Sequence, residues 1–259
     1  MSETAACHDA RSMIRSSLVR YGPDEAWSEH EHDEMSISVV LGGNLVERVG
    51  RREEIAALGS FVIKPAKSVH SNQFGSSGAV FLAIWPGSLL TSGLPPKDRP
   101  DWRWRHDLGT TRRWVSLAQE LEAGDRWGAA EEEVAALLEP DGSACPLRGE
   151  PPVWLKQIRD KIHALQPERP SVARLARAAG LHPVYLTRSF RHHYGSSISA
   201  YVRRLRIQRA AAMLIGKHAS EIVSIAHELG FADQSHFNRT FLSELGVTPG
   251  AYRRIMSRA

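Results

Sequence analysis

Two sets of side chains in this 259-residue chain have the type and spacing to do chemistry. In the C-terminal half, Arg188, Gln234 and Arg239 stand at outward positions between apolar residues that recur at helical intervals. Arginine can bond bidentately to guanine O6 and N7, glutamine to adenine, and an apolar side chain such as Val184 can touch a thymine methyl. Each good polar pair discriminates by about 1–3 kcal/mol. In the N-terminal half, His30-x-His32 precedes an apolar run and His70 follows Gly59-x5-Pro65. Imidazole serves both as a hydrogen-bonding group and as a metal ligand.

The charge distribution separates the two sets. Residues 151–259 hold 17 Lys+Arg against 6 Asp+Glu, net +11, whereas residues 1–150 hold 16 against 23, net −7. A basic half joined to an acidic half is the pattern expected when only one domain meets phosphates. Cys7 and Cys145 are the two cysteines, and neither lies in a CxxC or Cys/His zinc spacing, so no disulfide framework or structural zinc site is expected. Unbroken apolar stretches, such as the one through Phe81 to Trp85, are far short of the ~18 residues of a membrane span, and the N-terminus lacks a signal peptide's apolar core. A cytoplasmic protein is expected.

The elements that must position the first set announce themselves as a repeat. Leu175-Ala176-Arg-Ala-Ala-Gly180-Leu181 aligns with Ile225-Ala226-His-Glu-Leu-Gly230-Phe231 at an offset of 50. The offset then becomes 51, pairing Leu186 with Phe237, Arg188 with Arg239, Phe190 with Phe241, Gly195 with Gly246 and Tyr201 with Tyr252. Each copy meets the demands of a helix-turn-helix. A small residue (Ala176, Ala226) lets a second helix cross closely, a glycine (Gly180, Gly230) takes the left-handed conformation that ends the first helix, and two apolar residues four apart anchor the second. Pro183 suits a helix's first turn and Asp233 is a good N-cap, whereas His182-Pro183 offers no Ser, Thr or Asp cap. Between the copies, Ser199–Ile215 has no Gly or Pro and predicts one long spacer helix. Trp154–Leu165 predicts a helix that completes the first copy's core. Arg203, Arg204, Arg206 and Arg209 are assigned to phosphate or solvent.

Upstream, Met35–Leu41, Gly42-Gly43-Asn44 and Leu45–Val49 read as two strands joined by a turn, with further strands at Leu58–Lys64 and Ala79–Trp85. Short strands at this spacing suggest a small barrel or sandwich. Thr110–Glu122 and Asp125–Leu138 read as an antiparallel helix pair whose apolar faces suit dimerisation, and Pro140–Pro152 reads as a linker.

Residues of about 152–257 resemble the DNA-binding domain of the AraC/XylS family. The resemblance rests on the Ala176…Gly180…Leu186…Phe190 unit, on Ile225-Ala-His-Glu-Leu-Gly-Phe-Ala-Asp-Gln-Ser-His-Phe-Asn-Arg-Thr-Phe241, and on Gly246-Val-Thr-Pro-Gly-Ala-Tyr-Arg253. It implies that Pro183, Val184, Thr187, Arg188 and Arg191 face the groove from the first reading helix, and Gln234, Ser235, His236 and Arg239 from the second. The histidines are similar to the two cupin motifs, which gather a His-x-His pair and a later His inside a small β-barrel. The glutamate usual in such metal sites falls on Ser36 or Ile37, and Lys67 stands where glycine is usual. Three readings stay open for His30, His32 and His70: an effector pocket without metal, which is favoured; a structural role; and a divalent metal site.

The expected fold is therefore α+β in two domains. Residues 1–140 form a cupin-like barrel with a helix pair that senses an effector and dimerises, 141–152 a linker, and 153–259 an all-α domain with two helix-turn-helix units joined by a long helix. The expected function is a DNA-binding transcription factor without catalytic residues, cofactor or membrane association. Its expected partners are double-stranded DNA, a small-molecule effector, a second copy of the chain and RNA polymerase. The alternative is a metal-dependent cupin enzyme or metal sensor fused to the DNA-binding half.

Overall fold

Apolar runs such as Ile37–Leu41 and Ala79–Ile84 suit strands that are covered on both faces, and the computed structural model places them so. It describes residues 14–86, 102, 104–106, 110–123, 150–165, 171–216 and 221–259. Strands β1 (Ile14–Tyr21), β2 (Ala26–His30), β3 (Ser36–Val49), β4 (Arg52–Ala57), β5 (Ser60–Lys64), β6 (His70–Pro86) and β7 (Arg105–His106) form one antiparallel sheet. Its main path runs β1-β6-β3-β5-β7, with β2 added to β6 and β4 to β3. Among the described residues the sheet is open: β1 and β7 end the path without pairing. The barrel closure expected from the sequence is not seen among these residues.

Alternation sorts the side chains. Ile37, Val39 and Leu41 of β3, with Val80, Leu82 and Ile84 of β6, lie on the face turned to the helices. Val40 and Leu45, with Ala79 and Phe81, lie on the other, under Trp102 and Trp104. The Gly42-Gly43-Asn44 segment is not a turn. β3 runs straight through it, because both of its halves pair with β6. Between Val40 and Gly42 the register slips by one, leaving Leu41 as the extra residue of a β-bulge. Gly43 sits at φ +71°, with its backbone so close to Gly78 that a Cβ would come within 1.9 Å of the Gly78 carbonyl. The reversal falls later, at Gly50-Arg51, where Val49 pairs with Arg52.

Helix α1 (Thr111–Ala123) matches the first helix of the expected pair. Its Trp114, Val115, Leu117 and Ala118 are buried in the core shared with the sheet and the C-terminal helices, so this apolar face is used within the chain. The second helix expected at 125–138, and residues 140–149 of the linker, lie outside the described residues.

The C-terminal half is all helical: α2 (Val153–Ala164), α3 (Val172–Ala178), α4 (Pro183–Tyr194), α5 (Ile198–Ile215), α6 (Ile222–Glu228), α7 (Gln234–Leu245) and α8 (Pro249–Ser257). α5 spans roughly 27 Å at 1.5 Å per residue and serves two cores. Its Ile198 and Val202 join Leu155, Ile158, Ile162, Leu186 and Phe190. Its Ile207, Ala210, Ala211, Leu214 and Ile215 join the sheet face and the helices that follow. That division explains why α5 is apolar on several sides and carries no single stripe.

The sheet and the second helical set are therefore one packed body. Tyr252 of α8 is fully buried and donates its hydroxyl to the carbonyl of the bulged Leu41. Gly42 leaves the room, since a Cβ there would lie 2.7 Å from the Tyr252 oxygen. Gln208 Nε2 donates to Leu58 O at 3.1 Å and Arg20 donates to Met256 O at 3.1 Å. Replacing Tyr252 by Phe leaves the Leu41 carbonyl buried without this donor, a loss of about 1–3 kcal/mol. The midpoint of thermal unfolding should drop by roughly 2–10 °C; an unchanged midpoint would show that the hydroxyl contributes nothing.

Candidate nucleic-acid interface and histidine cluster

Each helical set is built by the same local rules. α3 starts at Ser171, whose hydroxyl accepts from Arg174 N, and ends before Gly180, which sits at φ +66°. The chain turns, and α4 begins at His182-Pro183. His182 caps it, with Nδ1 accepting the Val184 amide at 3.3 Å. The missing Ser, Thr or Asp is thus replaced by an imidazole lone pair, an interaction too uncommon at N-caps to be inferred from composition. In the second set α6 ends before Gly230 at φ +71°, and Asp233 caps α7, accepting His236 N at 2.6 Å. Ala176, Leu186 and Phe190 in one set and Ala226, Phe237 and Phe241 in the other are all buried, as the spacing requires.

With those anchors fixed, the intervening positions face outward. Val184, Arg188 and Arg191 on α4 are exposed, as are Gln234, Ser235 and Arg239 on α7. Pro183, Thr187 and His236 are half-buried. The Thr187 hydroxyl is turned back to the Pro183 carbonyl at 2.8 Å, and the His236 ring packs edge-on against Phe231 with centroids 5.4 Å apart. Tyr185, not singled out from the sequence, is 54% exposed on the first turn of α4 beside Trp154. Its place between Val184 and the buried Leu186 was the available signal.

Of the four α5 arginines, Arg206 departs from expectation. Arg206 is buried, with its guanidinium 6.0 Å from the Phe231 ring and 3.4 Å from the Gly230 carbonyl. Arg203 pairs with Glu244 at 2.6 Å, Arg204 reaches the same carboxylate at 3.8 Å, and Arg209 donates to His163 O at 3.1 Å. These contacts tie α5 to α2, to α7 and to the turn before α7, and Arg203 and Arg209 remain exposed.

The histidines converge. His30 on β2 lies opposite His70, the first residue of β6, and His32 follows two residues on. Ring centroids are 4.2 Å apart for His30–His70, 5.1 Å for His30–His32 and 5.2 Å for His32–His70. His70 is buried, and that burial, reinforced by the Lys64 ammonium, pulls its pKa down to about 3. Burial lowers His32 as well.

Beside them lies a charged network that the sequence reading missed. Glu47 is buried, and accepts from Lys64 Nζ at 2.7 Å, Trp102 Nε1 at 2.8 Å and Trp104 Nε1 at 2.7 Å. The Trp102 ring also lies 4.7 Å from His70. Strand parity held the clue: Glu47 shares a face with the buried Leu45. Glu47→Ala would leave Lys64 and two indole N–H groups buried without their acceptor. A loss of about 3–5 kcal/mol in urea unfolding is expected, and a loss under 1 kcal/mol would mean that water reaches the network.

Comparison with known proteins follows this geometry. A family profile described as a helix-turn-helix domain matches residues 175–255. The chain is 38% identical over 266 residues to the HTH-type transcriptional activator RhaR of Yersinia pseudotuberculosis, covering 92% of this chain and 88% of that one. It is 31% identical over 183 residues to the HTH-type transcriptional regulator Rv1931c of Mycobacterium tuberculosis, covering 63% and 68%. To the HTH-type transcriptional regulator MtrA of Neisseria gonorrhoeae it is 30% identical over 84 residues, covering 32% of this chain and only 28% of MtrA. The chain belongs to the AraC/XylS family of transcriptional regulators.

Proposed function

We propose that the chain is a sequence-specific DNA-binding transcription factor in which α4 and α7 are the reading helices of two helix-turn-helix units. The observation that carries this reading is the repetition of one construction on a half-chain of net charge +11: buried small residue, left-handed glycine, two buried anchors, and exposed polar side chains between them. A passive helical scaffold has no need for arginine and glutamine at those positions. Arg188, Arg191 and Arg239 would take guanine edges or flanking phosphates, Gln234 adenine, and Val184 a thymine methyl. Ser235 and the half-buried Pro183, Thr187 and His236 would set how closely each helix approaches. α5 would fix the separation of the two helices, and successive major grooves on one side of a duplex recur about every 34 Å.

Residues 1–140 would form the sensing domain, joined through 141–152 to the DNA-binding residues 153–259. The register shifts in the β3–β6 ladder and the pairing of His30 with His70 support a cupin-like, incompletely closed barrel whose effector pocket lies at His30, His32 and His70. The first helix-turn-helix unit has its own core, whereas the second shares its core with the sheet. A change in the sheet domain would therefore act on the second unit and move it relative to the first. Two chains on neighbouring sites would then recruit or release RNA polymerase. Among the described residues no helix is long and apolar enough to cross a membrane, which accords with a cytoplasmic regulator. An enzymatic reading of the histidines has no comparable support, since the relatives above are named as regulators.

Mobility shifts with bound genomic fragments test the proposal. Affinity should fall by about 10³-fold or more between 50 and 200 mM salt if six or more phosphates are neutralised. Arg239→Ala should cost about 1–3 kcal/mol of preference at one base pair and leave thermal stability unchanged. A uniform loss across all sequences would overturn the assignment of Arg239 to the groove, and failure of the wild-type protein to shift any duplex would overturn the function.

A further inference from the structure

We propose that His30, His32 and His70 form a binding site for a divalent first-row transition metal. One candidate nitrogen from each residue lies within 4.8 Å of the others, and they are the one such group of three among the described residues. The sheet builds this arrangement: His30 and His70 are register partners on adjacent antiparallel strands, which places their rings side by side. The loop carrying His32 is fastened to the segment before His70 by Lys67. The Lys67 amide donates to the His32 carbonyl at 2.7 Å, and its ammonium pairs with Asp33 and, at 3.4 Å, with Glu31. Lys67 holds a left-handed backbone, φ 61°, to make that clamp.

Ring orientation is also set. His30 Nδ1 lies 2.8 Å from the Ser28 carbonyl and His70 Nδ1 lies 3.1 Å from the Ser68 carbonyl. A carbonyl can only accept, so each Nδ1 carries the proton and each Nε2 presents a lone pair. This is the outer-shell arrangement that fixes a metal-ligating histidine. His70 Nε2 is sealed from solvent and has no hydrogen-bond partner among the described residues. A buried polar atom left unpaired needs an explanation, and a coordinated cation supplies one. The nearby Lys64 ammonium does not oppose this with a full charge, because Glu47 neutralises it at 2.7 Å.

The donor set names the class of ion. Three neutral imidazoles, without thiolate or carboxylate, suit zinc, nickel, copper or iron and are poor ligands for magnesium or calcium. Binding would draw the three nitrogens to roughly 3.3 Å apart, the spacing of ligands about 2.0–2.1 Å from a tetrahedral centre. His32 is exposed, so the remaining position faces solvent and is open to water or to an oxygen of a small ligand.

Calorimetry on the untagged full-length chain, stripped with chelator and titrated with zinc, tests the site without DNA, so that its failure leaves the DNA-reading proposal standing. One zinc per chain is expected, with no heat from magnesium. His32→Ala, at an exposed position, should keep the metal-free melting midpoint and weaken zinc by about tenfold or more. Absence of zinc binding would overturn the proposal. So would a His32→Ala chain that binds as tightly as wild type, since the metal would then sit on others of the twelve histidines. Mass spectrometry of the protein as purified, showing a transition metal lost in His30→Gln, would support it independently.

Discussion

The structure depends on a break in a β-ladder. Leu41 is an extra residue in β3 without a register partner on β6, and a carbonyl buried there without a donor would carry a substantial cost. Tyr252 provides the donor from the far end of the chain. For that hydroxyl to arrive, residue 42 has to lack a side chain, and the chain places Gly42 there. Around the contact, apolar side chains from β3, β6, α1, α5 and α8 close into one core. The fold is thus two domains in chain order, but its largest core belongs to both.

That core gives the two repeated helical units different status. Tyr201 and Tyr252 occupy equivalent places in the repeat, yet Tyr201 bonds His163 of its own unit at 2.9 Å, while Tyr252 plugs into the sheet. The first unit is completed by α2, and among the described residues its apolar core contains no strand residue. In the second, the C-terminal half of α5 stands before α6 as α2 stands before α3, and the sheet and α1 pack against it as well. α5 is the member common to both, and its buried and ion-paired arginines tie it to α7 and the turn before it. Repetition of sequence has produced repetition of local geometry with different surroundings.

The local geometry was legible because its causes lie within a few residues of one another. A small residue, a glycine four positions on, and two apolar anchors four apart constrain backbone and crossing distance whatever surrounds them, and the helices fall where those residues put them. Features that depend on a distant partner were not legible. Gly42-Gly43 has the composition of a hairpin turn, and only the pairing of both flanks with β6 makes it part of one continuous strand. Arg206 looks like its solvent-facing neighbours, yet it is buried against the Gly230-Phe231 turn between α6 and α7. The apolar face of α1 looks available for dimerisation until the sheet covers it. The histidines were correctly grouped, yet the buried Glu47, Trp102 and Trp104 beside them were passed over, since the acceptor and its indole donors are more than fifty residues apart.

β6 joins the two regions where chemistry and packing are concentrated. Its first residue is His70, and its later residues Val80, Leu82 and Ile84 line the shared core. Between them lies the glycine-rich stretch Gly75–Gly78, which would seem to offer slack. It offers little, because Gly78 is pressed between the backbones of Gly43 and Tyr21, so closely that a Cβ on it would stand 2.3 Å from the Tyr21 carbonyl. Gly75 faces the amide end of the Asn44 side chain. Backbone that leaves no room for a Cβ moves with its neighbours, since close-packed interiors transmit strain with little compression. Force applied at the head of β6 is therefore taken up by β1 and β3 together, and β3 is the strand whose Leu41 carbonyl holds Tyr252 and, through it, the second helical unit.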